Sequence, residues 1–232
     1  MKYIGKVSSA TFVDRPNRFI ARVLLDGELT VVHVKNTGRC RELLTEGATV
    51  YLHKPEGKLR KTEYDLIAVE KRREGKRPLL INMDSQAPNE AVAQWLPASG
   101  LFGEGAIYRR EFTVGKSRFD FMIDDGGEIC YAEVKGVTLE EGGIAMFPDA
   151  PTERGIKHLD GLSELSRKGY RAYIIFLIQM KEISLFRPND ETHRAFGNAL
   201  RRARDAGVNI IAVDSAVTPD TLTPDSAVSI EL

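Results

Sequence analysis

Three side chains stand out for what they could do together. In SRFDFMI, residues 117 to 123, the alternation of an extended chain puts Phe119 and Phe121 on one side and Arg118, Asp120 and Met122 on the other. After the turn residues Asp124-Asp125-Gly126-Gly127 the chain returns as EICYAEVKGV, where Ala132 and Val134 share one side and Glu133 and Lys135 the other. Two carboxylates and an ammonium thereby converge on one face of a strand pair. A hard cation such as Mg²⁺ or Mn²⁺ takes oxygen ligands and retains several waters, so Asp120 and Glu133 plus a carbonyl suffice to hold it. Lys135, two residues beyond the liganding glutamate, would lie beside that ion and a phosphate under attack, orienting a water and offsetting charge. The plainer alternative is a surface hairpin with a cross-strand ion pair worth roughly a few tenths of a kcal/mol.

An aspartate, a turn and Glu-x-Lys on the next strand resemble the signature of the PD-(D/E)XK nucleases. The sequence that follows adds to this. GVTLEEGGIAMFPDAPTERGIKHLDGL is a loop rich in Gly and Pro that runs into a predicted helix from about Thr152 to Lys168. Ile156, Leu159, Leu162 and Leu165 form its apolar stripe, and Arg154 and Lys157 stand on its polar first turns. Free N–H groups, the helix dipole and two cations together suit a phosphate, although Glu153 and Lys157 could simply pair at i,i+4. His158 could approach the same face, and the simpler reading makes it a packed, hydrogen-bonded residue. No partner can be named from sequence for His33, His53 or His193, and Trp95 and the tyrosines read as core.

The elements that must position these groups fall in two halves. Residues 1 to 80 read as five or six short strands: 3 to 7, 11 to 14, 19 to 25, 29 to 34, 48 to 53 and 64 to 70. Asp26-Gly27 is a hairpin signal, and a short helical turn fits Arg39 to Leu44. That pattern predicts a small barrel of the oligonucleotide-binding (OB) type. The basic run KRREGKRP, residues 71 to 78, reads as linker or exposed turn and places the boundary near residue 80. Residues 81 to 232 then give a helix from about Pro88 to Leu96 and strands at 107 to 114, 118 to 123 and 128 to 135. The Thr152 helix and a buried strand at 171 to 178 follow, then a helix at 193 to 206 and a strand at 208 to 213. This order predicts a mixed sheet flanked by helices, so the chain as a whole is expected to be α/β, or α+β.

Charge is divided the same way. The chain is neutral overall, yet residues 1 to 80 hold 17 basic and 10 acidic side chains, against 16 and 23 in residues 81 to 232. A basic first half suits a polyanion, and an acidic second half suits a cation site; uneven solvated faces would give the same count. The basic side chains of Lys58, Arg60 and Lys61 and of the 71 to 77 run are candidates for backbone contacts. Cys40 and Cys130 are far apart, neither with a Cys or His at ligand spacing, which excludes a zinc ribbon. There is no P-loop and no GxGxxG, no apolar run of signal-peptide length and none long enough to span a bilayer. A cytoplasmic protein without a membrane partner is expected.

The segments SRFDF, EVKGVTL, FPDAPTERGIKHL and GYRAYIIF, with KNTGR in the first half, closely resemble the sugar fermentation stimulation protein family, and the resemblance spans nearly the whole chain. It implies an OB-like barrel joined to a nuclease-like domain, DNA binding, and a part in regulating sugar metabolism. Asp120, Glu133 and Lys135 fall on the nuclease-like triad, and Glu111, one strand earlier, stands where another acidic group would complete the site. Lys35, Asn36, Thr37, Gly38 and Arg39, in a loop that reads VKNTGRCREL, would contact phosphate or base. Three functions are weighed at this point: a Mg²⁺- or Mn²⁺-dependent nuclease acting on DNA, with RNA as the alternative polymer; a non-catalytic DNA-binding regulator on the same scaffold; and an enzyme acting on a phosphate-rich small molecule or nucleotide, which would show a closed pocket. Nucleases of this fold often pair, so a homodimer is a candidate assembly.

Overall fold

The computed structural model describes residues 1–36, 38–56, 61–115 and 117–232. The chain divides into two compact units. The first comprises Met1–Pro88, Gln179–Lys181 and Ser215–Thr223, and the second Asn89–Ile178, Glu182–Asp214 and Pro224–Leu232.

The sheet of the first unit holds β1 (Lys6–Asn17), β2 (Ile20–Leu25), β3 (Glu28–Val34), β4 (Thr49–Lys54), β5 (Asp65–Lys71) and β6 (Leu79–Asn82). Strand β1 pairs antiparallel with both β2 and β4, β4 with β5, and β5 with β6. Strand β3, antiparallel to β2, closes the barrel by running parallel to β5 through His33↔Asp65 and Val34↔Leu66. That closure is the OB topology the strand pattern predicts. Where two separate strands, 3 to 7 and 11 to 14, are expected, there is one long strand. Register shifts after Phe12 and Asp14 bend it, so that one strand serves both sides of the barrel. The Asp26-Gly27 turn forms with positive φ at both residues, 52° and 86°, which only such a residue pair takes readily. At Arg39 to Leu44 the chain makes a single turn, in which Leu43 and Leu44 N–H donate to Cys40 O. Ala21, Val23, Val32, Val50, Leu52, Leu66 and Val69 fill the interior.

Tyr3, Lys35, Asn82 and Gln179 surround the buried carboxylate of Asp84 in this unit. Lys35 Nζ lies 2.6 Å from Asp84 Oδ2, Tyr3 Oη donates to the same oxygen at 3.1 Å, and Gln86 N–H donates to Oδ1 at 2.9 Å. Gln179 Nε2 donates to Asn82 O, Asn82 Oδ1 and Asp84 O. Desolvation, followed by the charge of Asp84, holds the Tyr3 phenol far above its ordinary range.

The second unit begins in α1 (Ala87–Trp95) and continues with β7 (Ile107–Val114), β8 (Ser117–Asp125) and β9 (Glu128–Val137), then β10 (Leu139–Glu141), β11 (Ile144–Phe147) and α2 (Glu153–Arg167). It ends with β12 (Arg171–Ile178), β13 (Leu185–Pro188), α3 (Asp190–Asp205), β14 (Asn209–Thr218), β15 (Thr221–Ala227) and β16 (Ser229–Ile230), the end of β14 and the start of β15 belonging to the first unit. The main sheet has the order β7-β8-β9-β12-β14-β15. Its first three strands are antiparallel, and β12 runs parallel to β9 and β14. As its unbroken apolar run predicts, β12 is buried on both faces from Ala172 to Ile178. The loop expected after Lys135 instead contains β10 and β11, which join β13 and β16 in a second, four-stranded sheet. Strands of two to four residues, paired with segments some forty residues further on, leave no periodicity for sequence to display.

Helix α2 approaches its neighbours through glycines. A Cβ at Gly161 would stand 3.0 Å from Ser117 Oγ and 3.1 Å from Phe119 Cζ, both on β8. One at Gly155 would stand 2.9 Å from Thr152 Cγ2 and 3.1 Å from the ring of Phe196 on α3. Thr152 caps the helix, its Oγ1 accepting from Gly155 N–H at 3.0 Å.

Candidate metal centre

Strands β8 and β9 are in register through Phe121↔Ala132, which puts Asp120 across from Glu133 on one face. The far end of this hairpin is pinned by Arg171, whose guanidinium lies 3.0 Å from Asp125 Oδ2 and 3.2 Å from Glu128 Oε2. Phe119 and Phe121 pack into the interior, as alternation requires.

Asp120 is held from two sides. Asn89 Nδ2, on α1, donates to Oδ1 at 2.7 Å, and Val134 N–H, on β9, donates to Oδ2 at 2.8 Å. Burial, then the facing charge of Glu133, pushes the Asp120 carboxyl above its ordinary range in spite of these donors. Glu133 is only 3% exposed. Burial works against its charge too, but hydrogen bonding from His158 and the cation of Lys135 outweigh it and hold this carboxyl below its ordinary range. The pair is thus a half-buried and a fully buried carboxylate of opposite tendency, Asp120 strained in its charge and Glu133 supported.

Lys135 Nζ lies 2.6 Å from Glu133 Oε1 and 3.2 Å from His158 Nδ1. His158, buried on α2 with its ring tilted against Phe119, donates from Nδ1 to the same Oε1, while its Nε2 accepts from Arg154 Nε at 3.4 Å. One oxygen of Glu133 therefore takes both partners. The other, Oε2, is buried and makes no hydrogen bond among the described residues. A buried carboxylate oxygen without a donor is costly unless something occupies its lone pairs. With Asp120 across the strand pair, its carboxyl raised by burial and then by the facing Glu133, the donor set fits a hard, oxygen-seeking cation. Among the described residues no three or more His, Cys, Asp or Glu side chains gather as a metal-holding group, so the remaining ligands would be carbonyl, water or substrate oxygens.

Asp120, Glu133 and Lys135 are brought together as their spacing implies. Glu111 is not part of that cluster: it adopts a φ of 55° in β7, and its exposed carboxylate pairs with Arg118. Arg154 and Lys157 are exposed on the first turns of α2, with Arg154 directed at His158. In the first unit, Asn36 is a loop clasp, its Oδ1 accepting from Gly38 N–H at 2.7 Å and its Nδ2 donating to Met83 O at 3.0 Å. Lys35 is engaged by Asp84, and Arg39 is exposed. Thr37, Lys58 and Arg60 lie outside the described residues. The histidines without nameable partners all have one: His33 with Asp65, His53 with Ile4 O, and His193 with Thr152 N–H. Asn89 and His158 are the site residues that spacing did not isolate. Each reaches the strand pair from a helix, and only the position of His158 within GIKHL hinted at it.

Comparison with known proteins identifies the family of the chain. The profile described as "Sugar fermentation stimulation protein RE domain" matches residues 86–221, and that described as "SfsA N-terminal OB domain" matches residues 13–77. A sugar fermentation stimulation protein homolog of Desulfitobacterium hafniense (strain Y51) is 51% identical over 232 residues, covering 100% of this chain and 99% of its own. The chain belongs to the sugar fermentation stimulation protein family. A second family member, from Ruminiclostridium cellulolyticum, is 47% identical over the full length of both chains. A solved family structure, "The structure of Pyrococcus Furiosus SfsA in complex with Ca2+", is 28% identical, covers 100% of both chains and superposes with a TM-score of 0.86. Family membership establishes the OB barrel and the mixed-sheet second unit. Among the described residues, no helix is long and apolar enough to cross a membrane.

Proposed function

We propose that the second unit carries a divalent-cation-dependent phosphodiesterase site acting on DNA, with the barrel of the first unit as a platform for the polymer. The observation that carries this reading is Glu133 Oε2, buried and without a donor on the strand that faces Asp120. Asp120 and Glu133 are the residues that would hold Mg²⁺ or Mn²⁺, and the calcium complex of the Pyrococcus relative supports a hard-cation preference. Such an ion supplies Lewis acidity toward a phosphoryl oxygen and toward water.

The chain's own groups do the rest. Lys135 brings a cation to the edge of the carboxylate pair, where it orients the attacking water and offsets charge on the phosphate. His158 holds Glu133 Oε1 and thereby fixes which oxygen stays free. Asn89 and Val134 N–H fix the Asp120 carboxylate from opposite sides. Arg154 and Lys157 add positive charge on the first turns of α2, where a polyanion is favoured.

The test is incubation of the purified protein with DNA, and in parallel with RNA, in Mg²⁺ or Mn²⁺. Chelator-sensitive cleavage that disappears in Lys135→Ala is expected. Absence of cleavage by the wild type, with salt-sensitive DNA binding intact, would instead leave a non-catalytic DNA-binding regulator of sugar metabolism.

A further inference from the structure

The turn between β1 and β2 and the segment following β3 enclose a cleft of about 420 Å³ on the barrel, lined by Arg15, Arg18, Arg39 and Arg41 with Asn17 and Leu44 among its other walls. Among the described residues, no acidic side chain lines it. Arg15 is the keystone: Nη1 donates to Gly38 O at 2.8 Å and Arg39 O at 2.7 Å, and Nη2 donates to Asn36 O and Arg18 O, both at 2.6 Å. Four neutral carbonyls fix this guanidinium in place without cancelling its charge. The exposed Arg18, Arg39 and Arg41 make no ion pair with an acid among the described residues. In a chain whose net charge is zero, such a cluster is a local field for an anion.

Beside the cleft stands Phe19, an aromatic ring left 47% exposed. The Arg18 guanidinium lies over it, 5.1 Å from the ring centroid. The backbone beneath is rigid, because Asn17 Oδ1 accepts from Phe19 N–H at 2.9 Å and Ile20 N–H at 3.1 Å, and Phe19 O accepts from Val34 N–H at 2.8 Å. A lone exposed apolar side chain is ordinary on any surface. A fixed ring touching a member of an uncompensated arginine cleft is a different arrangement, since it offers a stacking face and a phosphate groove side by side. A duplex hides its base faces, so the ring is of use only to an unpaired strand.

We infer that this corner of the barrel binds a single-stranded polynucleotide, with phosphates in the arginine cleft and one base against Phe19. The inference deepens the proposed role of the barrel as polymer platform and does not depend on cleavage. It is therefore tested in the presence of chelator, on the full chain and on its Asp120→Asn variant, by fluorescence anisotropy with labelled oligo-dT and with a duplex of equal length. Oligo-dT is expected to bind at least about tenfold more tightly than the duplex, and Phe19→Leu to lose about tenfold for oligo-dT alone, within the range known for one stacked base. Phe19→Trp should restore the affinity. Replacing Arg18, Arg39 and Arg41 by alanine should flatten the salt dependence by about 2 in log–log slope, near 0.7 per phosphate contact on a single strand. Oligo-rU in a parallel arm distinguishes RNA from DNA as the strand held, and tight binding of either supports the site. Equal affinity for duplex and single strand, an unaltered affinity in a folded Phe19→Leu protein, or an unaltered salt slope in the triple variant would each overturn it. Chelator-insensitive binding that passes these tests alongside absent cleavage would sink only the phosphodiesterase reading.

Discussion

Lys135 Nζ stands 2.6 Å from Glu133 Oε1, and because His158 takes the same oxygen, the second oxygen of that carboxylate is left buried with no partner among the described residues. The arrangement concentrates unmet bonding capacity at one atom, and the consequences can be measured at that atom.

Cation addition should stabilise the protein. At a concentration a hundredfold above its Kd, an ion that binds only the folded state contributes about 2.7 kcal/mol. For a domain of this size that is a rise in Tm of roughly 5–10 °C. Scanning calorimetry of chelator-treated protein with Mn²⁺, Mg²⁺ or Ca²⁺ should show the rise, and Glu133→Gln should remove it. An equal rise in both proteins would place the ion elsewhere.

Asp120→Asn should separate stability from ion binding. The folded-state pKa of Asp120 lies above its ordinary value of 3.8 because of burial and then Glu133, so its ionisation opposes folding. Below pH 3.8 the residue is protonated in both states and the asparagine variant gains nothing from this source. As pH rises from there through the raised folded value, the wild type loses stability that the variant keeps, and above it the difference is constant. Denaturation of ion-free protein across this range should therefore show the variant gaining relative to the wild type while failing to respond to cations. A relative loss with rising pH would contradict the assigned repulsion.

The reach of sequence reasoning divides at this site by distance along the chain. Alternation within SRFDFMI and EICYAEVKGV was enough to align Asp120, Glu133 and Lys135, because a strand has a period of two and the intervening turn is short. The barrel was legible for the same reason, from local strand and turn signals such as Asp26-Gly27. Asn89 is not legible, since it arrives from a helix whose docking depends on packing, and for the same reason sequence leaves His158 divided between approaching this face and packing elsewhere. The four-stranded sheet of β10, β11, β13 and β16 was likewise hidden, and so was the engagement of Lys35 by Asp84. From sequence, Lys35 is expected to contact phosphate or base along with the rest of its loop, and the buried acid that engages it lies almost fifty residues away.

His158 should prove a positioning residue. His158→Ala removes the donor to a buried carboxylate, with a cost of about 1–3 kcal/mol, and should weaken the cation-induced rise in Tm. His158→Asn, whose Nδ2 can stand in for Nδ1, should recover most of the ion response even if some stability stays lost. Equal ion responses in all three proteins would reduce His158 to packing.

Gly155→Ala tests the seating of α2. Alanine would ordinarily favour the helix by about 1 kcal/mol over glycine, yet its Cβ would meet Thr152 at 2.9 Å and Phe196 at 3.1 Å. Overpacking typically costs about 1–3 kcal/mol, and displacing the Thr152 cap adds to that, so thermal denaturation should show a net loss. A stabilised variant would mean that Thr152 yields without consequence.

Lys35→Met should lower stability by about 2–3 kcal/mol, somewhat under the usual cost of orphaning a buried charge because Lys35 is partly exposed. Its affinity for DNA should change less than that of an Arg39→Ala variant. The reverse order in a binding titration would return Lys35 to the polymer surface.

The first unit draws on residues beyond its barrel sequence. Leu222 N–H donates to Met1 O at 3.0 Å, Tyr3 N–H donates to Asp220 O at 2.9 Å, and Gln179 holds Asn82. A ribosome releases these segments in order, so in the nascent barrel Asn82 waits for Gln179, and Met1 and Tyr3 wait for Leu222 and Asp220. Excising residues 1 to 88 as a stand-alone fragment would make that waiting state permanent.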